Sequence, residues 1–77
     1  MNLNIITTKV HRVEDLAEGT LYIRVATLKR INRNTAERHV RVRTSDPWRP
    51  KTILGSKVQG TPYDKVFLVE VVEEAIL

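Results

Sequence analysis

Apolar and polar residues alternate over much of this chain, and the alternation breaks in a few places. The run from Leu3 to Val10, Leu-Asn-Ile-Ile-Thr-Thr-Lys-Val, is rich in β-formers and predicts a first strand. Over Arg12 to Glu18 the period changes: Val13, Leu16 and Ala17 fall at the spacing of one helical face, and Gly19 follows as a C-terminal cap. A segment this short does not hold a helix unaided, so a turn or two fixed by packing is expected near residues 12–18.

Two further β-like runs, Thr20 to Ile31 and Ala36 to Thr44, flank Asn32-Arg33-Asn34-Thr35, whose asparagines suit the left-handed conformations of a tight hairpin. Leu21, Ile23, Val25 and Ile31 would share one face of the first strand, and Val40 and Val42 one face of the second. Setting Val25 against Val42 places Arg24 opposite Arg43, Ala26 opposite Arg41, Leu28 opposite His39 and Arg30 opposite Glu37 on the outer face. Like charges directly opposed cost a few tenths to about 1 kcal/mol. An Arg24–Arg43 pair would therefore splay into water or await an anion.

Asp46 to Pro62 holds three prolines and two glycines with no clean period, which predicts a long loop with a brief strand at Thr52 to Leu54. Pro47 and Pro50 stiffen it around Trp48. The most apolar run, Tyr63 to Glu73, predicts a strand buried on much of both faces and central to the sheet. Glu73 to Leu77 either frays or prolongs that strand along an edge. The expected architecture is mostly β, with α+β as the neighbouring class: one small domain over residues 1–77 with no linker. It is an antiparallel sheet or partly open barrel of four to five strands, with one short helix near residues 12–18.

Composition supports this and narrows the chemistry. Ten valines and six isoleucines against seven leucines favour a pleated sheet. At 77 residues the core is thin. No cysteine is present, which excludes disulfides, thiolate zinc sites and cysteine nucleophiles and fits a reducing, cytoplasmic setting. No apolar run approaches the ~20 residues of a membrane-spanning helix, and Asn2, Asn4, Thr7 and Thr8 interrupt the start where a signal peptide needs an apolar stretch. A soluble chain without a membrane partner is expected.

Candidate catalytic groups are sparse. Ser45 and Ser56 would have to draw on His11 or His39 from unrelated contexts, and Asp46, Asp64 and the C-terminal glutamates stand in solvated-looking sequence with no evident cause for a raised pKa. The two histidines lack a local third metal ligand. Leu54-Gly55-Ser56-Lys57 shares part of a phosphate-loop pattern, but that motif needs a glycine at position 50, which is Pro50. A turn explains those residues. The reading is a non-enzyme with no cofactor or metal.

Charge carries the remaining signal. The net +4 is uneven: residues 20–59 have ten bases against two acids, whereas both flanks are net acidic. The expected binding face joins Arg24, Arg41 and Arg43 to Tyr22, Arg30, Arg33 and His39, with Lys29 nearby and Trp48, Arg49 and Lys51 on the stiffened loop. Arginine and lysine neutralise phosphates with counterion release, and Tyr22 and Trp48 are suited to stack on unpaired bases. Nucleic acid is the first expected partner. An acidic protein surface is the second, engaged by the same face with Trp48 as anchor; a homodimer through an edge strand is the third. The competing structural role is a charged strand pair that blocks edge aggregation, with Trp48 folded over the core.

The run Val13 to Val25, a helical turn, a glycine and a strong strand, resembles a recurring lead-in to small β-barrels. It covers thirteen residues and implies no activity. Short cysteine-free chains of this kind also resemble phage proteins that bind host transcription or defence machinery, by analogy of style alone.

Overall fold

The computed structural model describes residues 2–72. Strands β1 (Asn2–Arg12), β2 (Leu21–Arg24), β3 (Arg41–Val42), β4 (Lys51–Thr52) and β5 (Lys65–Val72) form one open sheet in the order β1-β5-β2-β3-β4. Every neighbouring pair is antiparallel. β5 is bonded on both edges, as its apolar run implies. The last residues, Glu73 to Leu77, lie outside the described segment. Among the described residues no helix is long and apolar enough to cross a membrane.

The sheet buries both faces, and the strand period decides which residues go where. Tyr22 and Ile23 are adjacent in β2 and enter different clusters. Tyr22 packs with Val13, Leu16 and Val66, and Leu68 lies against them. Ile23 packs with Ala36, Val40 and Val69, enclosed by Leu3, Ile5, Leu21, Leu28, Ile31, Ile53 and Phe67. β5 alternates in the same way, Val66 and Leu68 to the first side and Phe67 and Val69 to the second.

The turn expected near residues 12–18 is a single 3-10 turn, Val13–Asp15, which plugs the Tyr22 side with Val13 and Leu16. Gly19 reverses the chain at φ 89°, and its N–H donates to the Arg43 carbonyl at 2.7 Å. Only glycine adopts that conformation without strain.

The Thr20 to Thr44 hairpin does not form. β2 ends at Arg24; Val25–Leu28 is one α-helical turn, α1, and Arg33–His39 is a 3-10 helix. Asn32 caps that helix instead of turning a hairpin: the Asn34 N–H donates to the Asn32 side chain at 3.1 Å, and the Thr35 hydroxyl donates to the Asn32 carbonyl at 2.8 Å. Among the described residues no non-glycine residue has a positive φ. The spacing shows why. After Leu21 and Ile23 the apolar positions step by three from Val25 to Leu28 to Ile31, then by four from Ala36 to Val40, a helical period that carries them over the Ile23 face.

With the hairpin goes its register. Val42 pairs with Leu21 and Arg41 with Tyr22, whereas Arg24 pairs with Val66 of β5. The expected oppositions of Arg24 with Arg43, Ala26 with Arg41, Leu28 with His39 and Arg30 with Glu37 are therefore absent.

Ile23 is completely buried at the centre of the larger cluster. Replacing Ile23→Ala should cost about 2–5 kcal/mol, because the cavity sits between two bonded strands that have little freedom to collapse. A shift of the denaturant midpoint without a change in slope is the expected result.

Candidate functional site

The segment expected as a long loop with a brief strand at Thr52 to Leu54 is an arm with paired limbs, and its strand, β4, falls at Lys51–Thr52. Across it the Gly60 N–H donates to the Trp48 carbonyl at 3.3 Å, the Val58 N–H to Pro50 at 3.2 Å, and the Thr52 N–H to Ser56 at 2.9 Å, with Lys51 and Lys57 bridged as antiparallel partners. Gly55, at φ 92°, turns the tip, and the Ser56 N–H donates to the Thr52 hydroxyl at 3.1 Å. Leu54 to Lys57 is thus a hairpin turn. Pro50 is fully buried and pins the arm to the sheet.

Beneath the arm a cleft of ≈ 880 Å³ is lined by Arg24, Trp48, Arg49, Lys51, Lys57 and the segment from Val58 to Thr61. Four of these side chains are cationic and none is a carboxylate. Lys51 and Lys57 face one another directly, a like-charge pair that disfavours the arm by a few tenths to about 1 kcal/mol. Asp64, which acts electrostatically on Tyr22 and Arg41, is held in its own turn by the Thr61 N–H and hydroxyl, each at 3.1 Å. Asp46 caps the Trp48 N–H at 3.0 Å and meets Arg49 Nε at 3.9 Å, both side chains well exposed.

Arg24 is the floor. Its Nε is buried with no hydrogen-bond partner. Its positive charge bears on the neighbouring Arg41, whose pKa is lowered first by burial and then by Arg24.

The other expected site residues divide. Tyr22 is 1% exposed and its ring belongs to the core, so it is no stacking platform; the helical turn at Val13 and Leu16 covers it. Arg41 is 9% exposed and donates to the Gln59 carbonyl at 2.9 Å, which ties the arm's second limb to β3. Arg43 donates to the Val13 carbonyl at 3.1 Å and to that of Thr44. These two arginines are braces. Arg30, Arg33 and His39 ride the helical segment over the Ile23 face, apart from the cleft. Arg24, Trp48, Arg49 and Lys51 line the same cleft.

Sequence reasoning missed Lys57 and Tyr63. The signal for Lys57 was pairing symmetry about the Gly55 turn, which sets it across from Lys51. Trp48 is 52% exposed, so it does not fold over the core, and it meets the 62%-exposed Tyr63 edge-to-face, centroids 6.2 Å apart and planes at 86°. Among the described residues no cluster of three or more metal-ligating side chains is present. No protein family model matches this chain, and comparisons with curated proteins and with solved structures return no match.

Burial raises the Tyr22 phenol above its ordinary 10.0, with Arg41 pulling it the other way. The folded state thus favours the neutral phenol: the contribution to stability is whole below about pH 10 and is lost as the pH climbs through the folded value. Tyr22→Phe should flatten the alkaline limb of stability against pH, read from denaturant midpoints. A Cβ at Gly60 would lie 3.1 Å from Pro50 Cγ and 3.2 Å from Arg41 Nη1. Since Pro50 is walled in, Gly60→Ala should cost about 1–3 kcal/mol, measurable by thermal melting.

Proposed function

We propose that this protein is a non-catalytic module that binds nucleic acid through its phosphates, in a cytoplasmic setting consistent with its lack of cysteine. One observation carries the reading: a concave cleft lined by Arg24, Arg49, Lys51 and Lys57 without a carboxylate. Surface bases in folded proteins are commonly interspersed with acids, whereas here Lys51 and Lys57 are held together at a cost to the arm. A polyanion turns that repulsion into attraction and releases its own counterions. A purely structural role for these charges would favour exchanging one of them for an acid.

An acidic protein surface is the second reading, favoured by the exposed Trp48 beside Arg49, residue types common at interface hot spots. A homodimer through the free edge of β1 is a separate proposal that uses none of the cleft.

For a single strand that engages about three to four of these cations, affinity for a labelled oligonucleotide should fall roughly 20- to 50-fold between about 50 and 200 mM salt. Lys57→Glu supplies a sharper test, because it places opposite charges across the arm. Stability should rise by a few tenths to about 1 kcal/mol while oligonucleotide affinity falls by roughly tenfold. Salt-independent affinity, or affinity untouched by that change, overturns the proposal. Retained binding to an acidic protein but to no oligonucleotide would favour the second reading.

A further inference from the structure

We infer that the cleft selects single-stranded over duplex nucleic acid, with an unpaired base stacked on the Trp48–Tyr63 pair and its phosphate drawn toward Arg24. The inference rests on the phosphate-binding reading and adds a base to it.

The aromatic pair is the first support. Both rings are largely exposed, and edge-to-face contact covers only one face of one ring, so flat apolar surface remains open at the cleft's rim. Every base has a π-face, and stacking on such a ring is favourable whatever the sequence. The arm also presents Trp48 in a fixed pose. Its N–H is capped by Asp46, its carbonyl accepts from Gly60, and buried Pro50 anchors the chain two residues on. Little backbone entropy is left to lose on binding.

The second support is Arg24. It lines the cleft as one of four cations with no carboxylate among them, and a guanidinium in that position attracts a phosphate oxygen. Trp48 lines the same cleft, so one strand can set a base on the ring and a phosphate on the guanidinium. A duplex satisfies only half of this arrangement. Its phosphates reach the cations, but its base faces are stacked on one another and leave Trp48 idle.

Trp48 is the chain's only tryptophan, so its emission reports on this site alone. The test titrates the intact chain with oligo-dT, oligo-U, an abasic phosphodiester strand of equal length and a duplex. Expected are quenching by the two base-bearing strands and affinity for them roughly tenfold or more above the abasic strand. The tighter of the two identifies DNA or RNA as the source of the base. Equal affinity for abasic, duplex and base-bearing strands, with emission unchanged, overturns the stacking site and leaves phosphate binding in place. No binding to any strand removes both. By anisotropy of a labelled strand, Trp48→Phe should keep most of the preference for bases, and Trp48→Leu should abolish it without weakening the abasic complex. A preference that survives Trp48→Leu overturns the assignment.

Discussion

The ladder between β2 and β5 is the constraint on which everything else in the molecule depends. At Tyr22 and Ile23 two neighbouring side chains leave one strand in opposite directions, and each becomes the hub of a cluster. A chain of 77 residues cannot lay a full layer of regular structure on each side of a five-stranded sheet. The division is therefore unequal. The Ile23 side receives the helical segment and most of the apolar residues. The Tyr22 side is closed by one 3-10 turn and by arginines whose long stems cover the sheet while their heads bond to carbonyl groups.

That economy accounts for the electrostatics of the cleft. Arg41 and Arg43 spend their donors on Gln59, Val13 and Thr44, so they serve as struts that hold the arm and the turn against the sheet. Arg24 stands in the same row of cations with its Nε unserved. Arg24, Lys51 and Lys57 line the cleft together with Arg49, which meets Asp46 at 3.9 Å. Charge on this face thus has two separate duties, and position in the ladder decides between them.

Much of the sheet was legible in the sequence because strands of alternating or continuous β-branched residues declare themselves: β1, the start of β2 and the central β5 all fall where the pattern puts them. The stretch from Val25 to His39 was not, because its local residues read equally as strand or helix. Leu28, Ile31, Ala36 and Val40 show their helical spacing only once the Ile23 face exists to receive it. The same holds for the site. Arg24, Trp48, Arg49 and Lys51 were identifiable from charge and stiffness. Tyr22 and Arg41 were assigned to the surface because the assumed register had only one buried face. Lys57 enters through a pairing across the Gly55 turn that the expected loop did not include, and Tyr63 through a ring contact with Trp48 that no short window contains.

The outer margin of the sheet has a consequence of its own. β1 pairs with β5 from Asn2 to Ile6 and again at His11 and Arg12, but the intervening residues Thr7 to Val10 swing out opposite Phe67 alone. A straight eleven-residue border would offer an uninterrupted row of free amide and carbonyl groups to any extended chain. The outward swing divides it into two short stretches out of step with each other, and it puts Lys9 at the break. A chain that adds to one stretch cannot continue in register along the next, so the protein keeps a long outermost strand without making it a template for fibrous growth.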